Sequence, residues 1–165
     1  MNANRRLAAL FAIALMSSAP SFAYAQEKKP AAKTAPGAGF KALIDRYYAA
    51  WNTLTTDAPA KFYAKDADLV FFDIAPLKYN GWGEYKAGVQ KNFFDVMESG
   101  KLTPNNDLKV TQRGNIAWTT LTFHLSGKLK SGQTMDLECR HTAIWEKRGG
   151  KWLIVHEHVS APLPG

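Results

Sequence analysis

The chain has a single cysteine, Cys139, among its 165 residues. No disulfide can form within it and no Cys-x-x-Cys pair exists, so its fold must be held by a core; pairing of Cys139 between chains is left open. A glycine-rich phosphate loop is missing too. Gly81-Trp82-Gly83 precedes a helical pattern but has neither the preceding strand nor the Lys-Ser/Thr pair that such a loop needs. No serine stands in a nucleophile elbow. The N-terminal apolar run, Leu7 to Met16, is about half of the roughly 20 residues that cross a bilayer, so no membrane insertion is expected once it is removed. No metal, flavin or nicotinamide motif is present, and any chemistry is expected to be cofactor-free.

Charge is plentiful but poorly placed for a polyanion. There are 21 Lys and Arg against 14 Asp and Glu, a net of +7. Arg5 and Arg6 belong to a segment that reads as an export signal, and Lys28, Lys29 and Lys33 to a tail. The folded part keeps about +3, too diffuse for a nucleic-acid groove. Trp51, Trp82, Trp145 and Trp152 read as core rather than as a base-stacking platform. Residues 1–25 have the form of a secretory signal peptide: Arg5 and Arg6, the apolar run, then Ala23-Tyr24-Ala25 as the cleavage site. The protein is therefore expected to be exported, periplasmic or secreted. Residues 26–39, rich in Lys, Ala, Pro and Gly, read as a flexible linker into one domain at 40–165.

Phe40, Leu43, Ile44, Tyr47, Tyr48 and Trp51 make one apolar stripe of an amphipathic helix. Thr56 or Asp57 can cap a short second helix with Pro59 in its first turn, carrying Phe62 and Tyr63 inward. Leu69 to Asp73 reads as a strand. Trp82, Tyr85, Val89, Phe93 and Val96 predict a third helix ending near Ser99-Gly100. Four strands follow, Leu108 to Gln112, Ile116 to Ser126, Gln133 to Lys147 and Lys151 to Ser160, parted by Arg113-Gly114-Asn115, Ser131-Gly132 and Gly149-Gly150. This order is that of an α+β fold, with three helices over one face of a curved antiparallel sheet and a cavity left at one end.

The run from Thr142-Ala143-Ile144-Trp145 through Gly150-Lys151-Trp152 to His156-Glu157-His158-Val159-Ser160 resembles the C-terminal hairpin of the nuclear-transport-factor-like superfamily. It is similar to the SnoaL-like branch and to the association domain of calcium/calmodulin-dependent protein kinase. Element order matches over Phe40 to Ser160, with Tyr79-Asn80-Gly81 as the turn before the third helix. The resemblance implies a cone-shaped α+β barrel of the cystatin-like kind, a pocket between helices and sheet, and a homodimer through the outer sheet face. It implies no one activity, since members include isomerases, cyclases, dehydratases and assembly modules. The kinase domain's pocket arginines fall nearest Thr120, Ala143 and Val159, so its carboxylate pocket is not expected here.

The candidate chemistry follows from residue type and position. Asp73, next to the apolar run Leu69 to Phe72, is the expected base, because apolar surroundings move a carboxyl toward neutrality. The family's ketosteroid isomerases pair an Asp base with a Tyr-containing oxyanion hole. Trp118, Thr120, Thr122 and His124 share one face of a strand, either a ligand wall or the solvent side, with His124 as proton partner if it faces inward. Tyr47, Trp51 and Tyr79 complete the expected small-molecule site. Arg140 and Glu157 either fix the ligand or pair with each other. His156 and His158 share a face and are expected at a dimer interface. A two-residue turn at Gly149-Gly150 sets His141 opposite His158, three imidazoles on one face; a three-residue turn moves His141 beside Glu157. No metal site is expected.

Overall fold

The computed structural model describes residues 36–163. The segment read as an export signal and most of that read as a linker lie outside them. Helix α1 spans Pro36–Trp51, four residues into the segment read as linker. Pro36 stands at its first position, where the missing N–H is no loss and φ is already helical. Phe40, Ile44, Tyr47, Tyr48 and Trp51 are all buried on one side, as the spacing requires. The short second helix is a single 3-10 turn, Pro59–Phe62.

Strands β1 (Val70–Phe72) and β2 (Tyr79–Asn80) flank the loop before helix α2 (Gly81–Asn92), which runs into a 3-10 turn, Phe94–Val96. Strands β3 (Met97–Pro104), β4 (Lys109–Arg113), β5 (Ile116–Leu129), β6 (Thr134–Arg148) and β7 (Lys151–Ser160) follow. The third predicted helix thus ends earlier than its spacing suggested. Met97 onward has no strand alternation of its own and is drawn into the sheet by pairing with β5. Strand order is β2-β1-β7-β6-β5-β3, and β4 pairs with β5 at residues 116–120, on the edge that β3 takes up further along. The sheet is α+β in class but mixed rather than wholly antiparallel, because β1 lies parallel to β7.

Two α-helices and two 3-10 turns, rather than three helices, cover the inner face. Along β5 the inward residues Ala117, Thr119, Leu121, Phe123 and Leu125 are buried. Trp145 is fully buried at the centre, its indole N–H donating to Thr119 Oγ1 at 3.0 Å. Gly100 faces Gly127 across β3 and β5 beside a register shift at Met97/Ser99. Among the described residues no helix is long and apolar enough to cross a membrane.

The β6–β7 hairpin settles the parity of the histidines. Gly149 and Gly150, at φ 54° and 80°, form a two-residue turn with Arg148 opposite Lys151. Both central residues need positive φ there, which glycine supplies without strain. A bulge follows, where Ile144 pairs with His156 but Trp145 with Ile154, leaving Val155 extra. One extra residue exchanges the two faces of everything beyond it. His141 therefore lies opposite Val159, on the side of Glu157, and the three-imidazole arrangement does not form.

Candidate functional site: a cavity over a buried carboxylate

Glu157 and His141 lie at the bottom of the space between helices and sheet, at 0% and 2% exposure. Four donors converge on the carboxylate. His141 Nε2 lies 2.8 Å from Oε1, the Tyr63 and Tyr85 hydroxyls donate to Oε2 at 2.7 Å each, and Tyr47 donates to Oε1. These groups come from α1, the segment after the first 3-10 turn, α2, β6 and β7. Burial alone would raise the Glu157 carboxyl. The hydrogen bond and charge of His141, with the phenols of Tyr47 and Tyr63, outweigh it and hold the group below its ordinary value. Burial also pushes the phenols of Tyr47, Tyr63 and Tyr85 well up, assisted by the Glu157 charge, so they stay protonated donors. On its other side His141 meets the Tyr48 hydroxyl through Nδ1 at 3.2 Å, and its ring stacks on Tyr47 with centroids 5.4 Å apart.

Above this network lies a cavity of about 190 Å³. It is below the roughly 300–1,000 Å³ usual for drug-sized ligands and suits a single small ring. Helix α1 contributes Tyr47, Tyr48 and Trp51, while β5 and β6 contribute Phe123, Leu125 and Leu137. Asp73 and His141 are the titratable acid–base pair in the wall. Asp73 reaches it because Phe71 points inward and the residue two further along a strand direction points the same way. Its Oδ1 accepts the Ile74 N–H at 2.7 Å. Enclosure by apolar groups raises its carboxyl to about 6, against the pull of the Ile74 N–H and with help from the Glu157 charge. That is the range in which a carboxylate serves as base near neutral pH.

The structure brings Asp73, Tyr47, Trp51 and Tyr79 together in the cavity wall. It separates them from Trp118, Thr120, His124 and Arg140. The alternation of β5 and β6 turns these four to the outer face, so they are not ligand walls. Trp118 is 37% exposed, and His124 meets Glu138 at 3.0 Å and Asp136 at 3.4 Å instead of the cavity. Arg140 lies opposite Thr122 and Ser160 and does not pair with Glu157. Glu157 is not a ligand contact either, since it sits beneath the wall with its oxygens already engaged. His156 and His158 face outward beside Phe72, His156 with its Nδ1 at 2.8 Å from the Val70 carbonyl oxygen. Among the described residues no group of three or more His, Cys, Asp or Glu is placed to hold a metal ion. The residue that sequence reasoning left out of the site is His141, whose place depends on the bulge at Val155.

The family model of the SnoaL-like domain matches residues 40–164. The chain belongs to the SnoaL-like family. Solved structures of similar fold agree with the placement of this SnoaL-like domain. A Xanthomonas campestris protein described as a calcium/calmodulin dependent protein kinase II association domain is 24% identical, with 78% of this chain and 89% of that one covered at a TM-score of 0.65. An NTF2-like protein of unknown function from Pseudomonas putida KT2440 is 25% identical, covering 77% and 87%, at 0.63. A Streptomyces avermitilis protein described as a dehydratase of the NTF2-like family is 15% identical, covering 76% and 95%, at 0.65. No curated protein matches the chain.

Proposed function

We propose that this SnoaL-like domain is an exported protein that binds a small, partly apolar ring compound in the cavity over His141. The observation that carries the reading is a largely apolar hollow of about 190 Å³ with two acid–base groups, Asp73 and His141, in its wall. A cavity of comparable size lined by apolar side chains takes up a single aromatic ring. Export rests on the form of residues 1–25. Native mass spectrometry of protein purified from its own host tests the binding. A co-purifying molecule of small mass is expected, and it should be lost in Leu137→Trp, which fills the cavity at a partly exposed position. Absence of any such molecule, together with no thermal shift from a panel of small cyclic compounds, would remove the reading.

A cofactor-free isomerase or dehydratase is the second reading, and the raised carboxyl of Asp73 favours it. Asp73 would take a proton from the bound molecule while His141, its Nε2 anchored by Glu157, holds or returns one. In that case Asp73→Asn abolishes turnover while the fold persists.

A further inference from the structure

The cavity wall is one-sided in charge and, on the reading that it binds a small ring compound, this decides what that compound carries. Among the described residues no lysine or arginine lines it. Burial pushes up the phenols of Tyr47, Tyr48, Tyr79 and Tyr85, which therefore stay uncharged. Asp73 is ionised at pH 8, its carboxyl standing at about 6. One of its oxygens, Oδ1, is taken by the Ile74 N–H, and Oδ2 has no hydrogen-bond partner among the described residues. Glu157 beneath the wall is ionised too. The sign of the balance is the same whichever way His141 is protonated. A neutral His141 leaves two carboxylates at the hollow and no cation. A protonated His141 offsets Glu157, which its Nε2 meets at 2.8 Å, and Asp73 remains uncompensated. Asn92, whose amide both donates and accepts, adds no charge of either sign.

Much of the remaining wall is aromatic, with Trp51 from α1, Tyr79 and Tyr85, Phe93 and Phe94 past the end of α2, and Phe123 from β5. The face of an aromatic ring is negative and attracts a cation, more strongly where water is excluded. Taking an ammonium group out of water is costly unless it is paired, and Asp73 Oδ2 supplies the pair. An anion in the same place meets only repulsion. We infer that the cavity selects a small cyclic amine in its protonated form, its ammonium group held by Asp73 Oδ2 and its ring by the aromatic wall.

The test is calorimetric titration of the full chain at pH 8 with piperidine, tetrahydropyran and cyclohexanecarboxylate, six-membered rings that are cationic, neutral and anionic at that pH. Piperidine is expected to bind roughly tenfold more tightly than tetrahydropyran, and the carboxylate not to bind. In Asp73→Asn, whose amide oxygen can keep the Ile74 N–H, the advantage of piperidine should shrink to about two- to threefold, the share of the rings. Leu137→Trp, which fills the cavity, should abolish piperidine binding. Equal or tighter binding of tetrahydropyran, binding of the carboxylate as tight as that of piperidine, or an advantage undiminished in Asp73→Asn overturns the inference and leaves the binding reading standing. Piperidine that still binds Leu137→Trp is held by carboxylates elsewhere, which overturns the inference as well. If none of the three rings binds, the binding reading itself fails, and the selectivity for an amine fails with it.

Discussion

Asp73 and Glu157 are carboxylates with opposite consequences for stability. Asp73 is held at about 6 against an ordinary 3.8, so between those values the folded protein binds its proton more tightly than the unfolded chain does. Stability from this group therefore falls as pH rises through that window, and above it the folded state carries the full penalty, on the order of 2–3 kcal/mol. Asp73→Asn should be more stable than the parent by about that amount at pH 7.5 and no different at pH 3.5, read by urea unfolding at both. A parent that is the more stable at pH 7.5 would show that Asp73 is not confined as described. Glu157 has the reverse sign. Its depressed carboxyl contributes stability above the unfolded value, lost as acid carries the pH down through the folded one. Residue identity made Asp73 legible as a carboxyl in apolar surroundings, because the apolar run before it is visible in the chain. Glu157 was legible only as a ligand contact or a partner of Arg140, and its buried role was not, since the four donors around it come from segments up to 110 positions away.

At the scale of elements, the helical stripe of α1 and the places of β5, β6 and β7 were legible, the first from its helical period and the strands from the turn residues that part them. Two features were not. Strand β3 carries polar residues and a glycine and exists by virtue of its partner. The bulge at Val155 has no composition of its own, yet it decides that His141 joins Glu157 while His156 and His158 turn outward. Of the two turns left open at Gly149-Gly150 the structure adopts the two-residue one, yet the bulge places His141 on the side of Glu157, where the three-residue turn would have set it. The β3–β5 crossing offers a sharp test of tolerance. A Cβ on Gly127 would stand 2.5 Å from the Ser99 carbonyl oxygen, whereas a Cβ on Gly100 meets chiefly the Met97 methyl, at 2.3 Å. The backbone cannot yield as a methionine tip can. Gly127→Ala should lose about 1–3 kcal/mol in chemical unfolding, and Gly100→Ala distinctly less. Equal losses would mean that β3 adjusts freely along β5.

For the whole molecule, the outer face of the sheet has the composition of a contact surface. Phe72, Ile116 and Trp118 are each more than a third exposed there, in rows with Ile144, His156 and His158. Self-association through this face is the expected use, and light scattering after size exclusion should give twice the subunit mass. Trp118→Asp and His158→Ala should shift it toward one subunit without changing ligand binding, because neither residue touches the cavity. A parent that runs as a single subunit at high concentration removes the expectation. The carboxylate at the base of the cavity has a different reach. Two helical segments, the stretch after the first 3-10 turn and two strands are tied to one anion, so no one of them can loosen without stranding a charge in oil. Hydrogen exchange of these five segments should accordingly converge on a single opening event, and a molecule entering the hollow would slow all of them together.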